Sequence, residues 1–458
     1  MKLKSLIQNG TKLEVAEVEI ELIPGIPQIH FLGLPDRLIK ESFYRIKSAL
    51  KNSGYKFPLT NQIIVNIKPN HLRKSSRGVE LAVALGILLK TGQIESSRVD
   101  TSWVLYGELG LDGSIYEPSD LVQNLFILND QMVLTGKGSG VPKCYRLESL
   151  NSGEIHFTSQ DRVYQRPKKG LERLYSEEEA EFLFLAATSG LHVLLAGDSG
   201  AGKTTLAHSL RSFLREPEEN VRLSEDQWRP LVAPHHSITP AAFLGGGGNL
   251  YEGELERSIG GMLLLDEFLE FDADVLESLR GPMEGGTLRL TRASAVREVS
   301  LQVQVVATTN LCPCGQWTPF KVQLSCRFSR TRCRRYVERL SGPLVERFGI
   351  LYFVKPMVKR QITGHQILQR IQRVRRFLSQ CGQQSFRDVG LLESYYRHLN
   401  TRRRNYLRRI ATVYALDRLS SSAQGTSGLK GVQLNNGDYN RAESWTLRPF
   451  EELEKGMS

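Results

Sequence analysis

Gly197-Asp198-Ser199-Gly200-Ala201-Gly202-Lys203-Thr204 follows directly on the apolar run Val193-Leu194-Leu195-Ala196 and precedes the helical pattern Leu206-Ala207-His208-Ser209-Leu210. A buried strand feeding a glycine-rich turn that opens a helix lets successive backbone N–H groups curl toward phosphate oxygens. The spacing fits G-x-x-x-x-G-K-[ST]: Lys203 serves the β and γ phosphates, and the Thr204 hydroxyl serves Mg²⁺. With Thr205 next in the helix, this stretch predicts a site for ATP and Mg²⁺ on an α/β, doubly wound sheet.

Two further apolar runs supply the chemistry such a loop needs. Met262-Leu263-Leu264-Leu265 ends in Asp266-Glu267, a Walker B pattern in which Asp266 holds the metal through water and Glu267 polarises the attacking water. Val303 to Thr309 ends at Asn310, whose polar side chain suits a sensor of the water and γ-phosphate. Between these runs, Thr287 to Val299 alternates on both sides of Ala293-Ser294-Ala295 and reads as a β-hairpin.

Composition sets the wider frame. The 458 residues have room for two or three domains, and the formal net charge of +11 favours a polyanionic partner such as nucleic acid. Met1 to Asn9 contains no long apolar segment, and no run elsewhere approaches membrane-spanning length, so a cytoplasmic protein is expected. Strand-like alternation (Leu13 to Ile23, Gln62 to Lys68, Trp103 to Tyr106) mixed with helical patterns (Asp36 to Asn52, Val79 to Thr91) predicts a separate α/β domain at the front. Residues 141–175 are polar and read as a connection, so domains are expected at 1–165, 166–355 and 356–458. The last is an Arg-rich helical lid from Arg360 to Ser422, then a loop to Asp438 and a short helix near Phe450 to Lys455.

The order of the motifs resembles the ComM/YifB family, the bacterial magnesium-chelatase-like AAA+ ATPases. It comprises the phosphate loop, Pro234-His235-His236-Ser237, Gly245 to Gly248, Leu265-Asp266-Glu267, Asn310-Leu311-Cys312-Pro313-Cys314-Gly315 and Ser341-Gly342-Pro343-Leu344. Gly33-Leu34-Pro35-Asp36, Ala49 to Gly54 and Gly107 to Gly113 extend the likeness through the first domain. The resemblance implies that Arg347 is an arginine finger acting on a neighbouring subunit's ATP, an effect of about 10³ to 10⁵ in rate, and that the chain forms a ring, a hexamer. Arg402 falls where a lid sensor arginine is expected, the alternative being one solvated Arg among Arg402, Arg403, Arg404, Arg408 and Arg409. The resemblance to the helicase-like branch of AAA+ proteins implies a hairpin that projects into a ring pore, where Arg289, Arg292 and Arg297 suit DNA phosphate contacts; a solvated hairpin is the alternative. Gly245 to Gly248 is either a second pore element or a flexible insertion.

The family phosphate loop carries prolines where this chain has Asp198-Ser199, an acidic residue that weakens binding if it faces the triphosphate. Cys312, Cys314, Cys326 and Cys333 either hold a structural Zn²⁺ or are thiols of a loop; Phe328 stands where the family has a second cysteine of a C-x-C pair. The first domain resembles the Lon-protease-type fold, yet no lysine stands near Val122 to pair with Ser76, so proteolysis is not expected. The resemblance thus implies an ATP-driven DNA translocase or branch-migration motor of natural transformation. The competing readings are a motor for a protein or metal-insertion client and a degenerate nucleotide-binding scaffold.

Overall fold

The computed structural model describes residues 1–9, 12–32, 36–68, 74–75, 78–128, 131–138, 140–151, 154–159, 164–218, 223–224, 226–246, 251–292, 295–315, 328–340, 342–355, 359–381, 395–421 and 432–457. They divide into two units, 1–165 with 217–228 and 166–216 with 229–458. Among the described residues no helix is long and apolar enough to cross a membrane.

In the first unit the long alternating runs become neighbours. Lys2–Asn9 pairs antiparallel with Lys12–Pro24, which pairs antiparallel with Asn61–Lys68, while Ile29–Leu32 adds in parallel at the edge. Alternation buries Val18 and Ile20, whereas Glu17 and Glu19 meet Lys2 and Lys68 on the opposite face. The helix Glu80–Lys90 is buried along residues 80–89. A Cβ at Gly86 would stand 2.1 Å from Ile20 Cδ1, so glycine allows this close crossing. Residues 141–175 are not merely a connection. Lys143–Arg146 and His156–Ser159 extend the sheet, because Cys144 and Arg146 turn inward and Arg146 Nη2 meets Glu117 Oε2 at 3.0 Å in a buried pair. Polar composition concealed two strands, the first of which carries a buried ion pair.

The second unit is built around the phosphate-loop strand. Helix α1 (Glu177–Ser189) opens on a Ser176–Glu179 capping box and leads to strand β1 (Val193–Gly197) and helix α2 (Lys203–Leu210). There follow β2 (Leu231–Val232), β3 (Met262–Leu265), α3 (Arg280–Gly285), the hairpin β4 (Thr287–Arg292) and β5 (Ala295–Ser300), β6 (Gln304–Thr309), α4 (Gly342–Val345) and β7 (Ile350–Val354). The sheet order is β2-β3-β6-β1-β7, and every pairing is parallel. Strands buried on both faces need the unbroken apolar runs the sequence carries. The C-terminal helices α5 (Gly364–Cys381), α6 (Thr401–Ser421) and α7 (Asn436–Thr446) share one core with α1 and the sheet, through Ile371, Leu407, Ile410, Tyr439 and Phe182. The tail holds more helix than expected: α7 begins at an Asn435–Asp438 capping box, and α8 (Arg448–Met457) follows it.

One partly buried titratable group braces the lower edge of this sheet. His192, just before β1, accepts the Val305 N–H at its Nδ1 (3.0 Å), and burial lowers its pKa to about 4. The folded state therefore refuses a proton that the unfolded chain takes up near pH 6.5. Stability should be insensitive to this group above pH 6.5 and fall by about 2 kcal/mol between pH 6.5 and pH 5. Denaturant unfolding at pH 7 and pH 5 should show that part of the acid sensitivity disappearing in His192→Gln.

Candidate nucleotide site

Because all five strands run one way, their C-terminal ends deliver Gly197, Asp266 and Asn310 to one edge of the sheet. The turn after β1 depends on glycine. Gly200 and Gly202 have φ of +75° and +93°, and a Cβ on Gly200 would project into open space rather than against protein. Such a cradle fits phosphate. Lys203 Nζ donates to Gly197 O (3.0 Å), Asp198 O (2.8 Å) and Asn310 Oδ1 (2.8 Å), and so bridges the loop to the end of β6. Burial draws its pKa below the ordinary lysine value, while the carboxylates of Asp266, Asp198 and Glu267 oppose that shift. Asp198 thus helps to keep Lys203 charged. Ser199 N–H donates to Gly315 O at 2.8 Å, and Thr205 is exposed on the first turn of α2.

The Thr204 hydroxyl donates to Asp266 Oδ1 at 2.9 Å, a hydroxyl and carboxylate pair of the kind that holds a divalent cation. Thr308 O–H also donates to Asp266 Oδ1, and Glu267 N–H donates to Thr308 Oγ1 at 3.3 Å. Glu267 adopts φ +55° and ψ +46°, a left-handed conformation costing about 1–2 kcal/mol for a residue with a side chain. That strain lifts its half-exposed carboxylate off the strand end, where His236 Nδ1 lies 3.6 Å from Oε2. Thr308 and His236 had not been singled out as site residues. Thr308 carried only the signal of a hydroxyl at the end of an apolar strand; His236 lies on the segment that leaves β2.

The two arginines stand elsewhere. Arg347 precedes β7, at the N-terminal edge of the sheet, opposite the phosphate loop. With about 3.3 Å per strand residue, the five residues of β1 separate those edges by roughly 15 Å, beyond the reach of a guanidinium. Arg347 is buried and donates to Arg280 O (2.8 Å), Pro343 O (2.5 Å) and Glu284 Oε2 (2.6 Å). Arg402, at the start of α6, pairs with the same Glu284 and with Glu346 (3.3 Å), and so stands with Arg347. Neighbouring Arg403 is buried, donating to Phe348 O at 3.1 Å and stacking 3.7 Å over the Phe450 ring.

The hairpin forms as expected, with Arg289, Arg292 and Arg297 on its strands and Ala293-Ser294 outside the described residues. Gly245–Gly246 pairs with Tyr251–Glu252, while Gly247 and Gly248 lie outside, as do Gly33 to Pro35, Ser76, Cys326 and Ser341. Val122 lies in the short helix Ser119–Gln123. Cys312 Sγ stands 3.0 Å from Cys314 Sγ and 3.2 Å from Cys333 Sγ. Tetrahedral zinc, with Zn–S of about 2.3 Å, sets sulfurs about 3.8 Å apart. Among the described residues no group of three or more His, Cys, Asp or Glu side chains could hold a metal ion, so the zinc expectation is not supported.

Known proteins agree with this reading of the fold. Residues 171–362 match the family model described as magnesium chelatase, subunit ChlI, and residues 18–132 match that of subunit ChlI of Mg-chelatase. The chain is 29% identical over 381 residues to uncharacterized protein YifB of Escherichia coli, covering 74% of this chain and 73% of that one. It is 28% identical over 386 residues to competence protein ComM of Haemophilus influenzae, covering 74% of each. An uncharacterized protein of Mycobacterium tuberculosis is 27% identical over 383 residues, covering 76% of this chain and 75% of its own. With models of the magnesium chelatase ChlI subunit matched on both units and relatives aligned over about 74% of its length, the chain is magnesium-chelatase-like and similar to YifB and ComM.

Proposed function

We propose that the chain is a ring-forming ATPase that couples hydrolysis to movement along DNA. The observation that carries the ring is the division of the site between two edges. Lys203, Asp266, Glu267 and Asn310 share one edge, whereas Arg347 emerges at the other, so a second copy is needed to bring an arginine to the γ-phosphate. A hexamer is the arrangement this family resemblance favours.

Within one site, Lys203 and the glycine-rich turn bind the triphosphate. Thr204 and Asp266 would hold Mg²⁺, which when bound would supply positive charge to the phosphate oxygens. Glu267 orients and deprotonates water, and Thr308 fixes both carboxylates by donating to Asp266 while accepting from the Glu267 backbone. Arg347 and Arg402 from the neighbour stabilise the charge that develops on the transferred phosphoryl group.

The DNA reading rests on the basic hairpin β4–β5, on the net charge of +11, and on the similarity to a protein named for competence. Purified protein is expected to turn over ATP faster with single-stranded or forked DNA. A rate and an assembly state that neither DNA changes would remove the DNA client and leave the metal-insertion or protein motor.

Two substitutions test the hydrolytic roles. Glu267→Gln should retain ATP while turnover falls by about 10²- to 10⁴-fold. Thr308→Val should lower kcat roughly tenfold, the value of a lost hydrogen bond to a charged group, with ATP affinity retained. Equal loss of nucleotide binding in Thr308→Val would assign it to the loop instead.

A further inference from the structure

Glu284 divides its carboxylate between the two arginines. Oε2 accepts from Arg347 Nη2 at 2.6 Å, and Oε1 accepts from Arg402 Nη2. With Arg280 O accepting from Nε and Pro343 O from Nη1, the Arg347 side chain is only 10% exposed. A guanidinium buried this way, with Nη2 bonded to the Glu284 carboxylate, must leave Glu284 to offer Nη2 to an anion on another chain.

The same carboxylate sits at the root of the hairpin. Arg280 and Glu284 are both on α3, and β4 begins at Thr287. Gly286 joins them rigidly: its N–H donates to Pro282 O (3.2 Å) and its carbonyl accepts the Leu301 N–H (2.6 Å), which closes the base of β4–β5. The end of α3 is also tied to the sheet, since Met283 is a backbone partner of the His192 ring. A pull on the hairpin is therefore delivered to the residues that hold Arg347.

We propose that Glu284 is a latch that withholds Arg347 and Arg402 together from the neighbouring subunit's triphosphate, and that a polynucleotide drawn against β4–β5 releases both. The latch rests on the reading of these arginines as acting between subunits, and adds a route by which client and hydrolysis communicate. Glu284 is a positioning residue. It acts through Arg347 and touches no phosphate.

The test compares steady-state ATP turnover of the full chain and its Glu284→Gln variant, with and without single-stranded DNA. Glu284→Gln keeps the shape and removes the charge. Basal kcat should rise about fivefold, the low end of ordinary coupling between sites, with KM for ATP unchanged and further stimulation by DNA largely lost. Adding Arg347→Ala should erase the rise. Glu284→Asp, which keeps the charge but cannot span both arginines, should change kcat in the same direction. An unchanged or lower basal kcat in both Glu284 variants overturns the latch, whether or not DNA stimulates the unaltered protein. A rise that survives Arg347→Ala overturns it too. If DNA affects no protein while the Arg347-dependent rise is present, the restraint by Glu284 stands, and its release by a polynucleotide is overturned together with the DNA client.

Discussion

The common direction of the five strands in the nucleotide unit is the constraint on which the rest depends. Parallel strands place every strand-to-helix turn at one edge and every strand entry at the other. Gly197, Asp266 and Asn310 are strand exits and meet; His192 and Arg347 precede strands and do not meet them. Hydrogen bonds then refine what direction has sorted. Lys203 spans from its own loop to Asn310, and Thr204 and Thr308 converge on one oxygen of Asp266. The result is a set of polar groups facing one another above a sheet in which β1, β3, β6 and β7 are wholly buried.

What the sequence revealed follows the range of each signal. The runs before Gly197, Asp266 and Asn310 are local, apolar and end in chemistry, so the strand and its functional residue could be read together. The hairpin was legible because residues alternate on both sides of Ala293-Ser294-Ala295. By contrast, β2 is two residues long, and Lys143–Arg146 hides behind a composition typical of connections. The helix at Asn436 had a readable start, Asn435 with Asp438 three residues on, but glycine and asparagine content outweighed it. Least legible was the partner of Arg347: nothing near Glu284 announces that α3 ends beside the entry to β7.

Arginine content illustrates the same limit. A run such as Arg402-Arg403-Arg404 reads as a solvated charged face, yet its members do different work. Arg403 is buried, and burial lowers its pKa to about 10; it compensates by donating to the carbonyls of Phe348 and Val345 and by stacking on Phe450. It thereby fixes the backbone on both sides of Arg347. Arg370 packs over Phe184 and pairs with Glu181 and Asp417, joining α5 to α1 and α6. A basic composition in this unit is partly an internal framework, which reduces how much of the net charge is available to a polyanion.

The turn from Asn310 to Gly315 gains a role from these contacts that neither metal binding nor loop composition supplies. Its first residue accepts from Lys203, and its last accepts from the Ser199 N–H, so the turn grips the phosphate loop at two points. A Cβ at Gly315 would lie 2.8 Å from Ser199 Cβ, which explains glycine at that contact. Between the two grips, Cys312 packs against Cys314 and against Cys333 of the following helix Arg330–Val337. The thiols therefore brace the turn from behind. Because Ser199 meets the turn through its backbone, the unusual side chains at Asp198 and Ser199 leave the grip intact, and Asp198 contributes through its carbonyl to Lys203 as any residue there would. The contacts that shape the loop run through its backbone, so an acidic side chain at Asp198 leaves them in place.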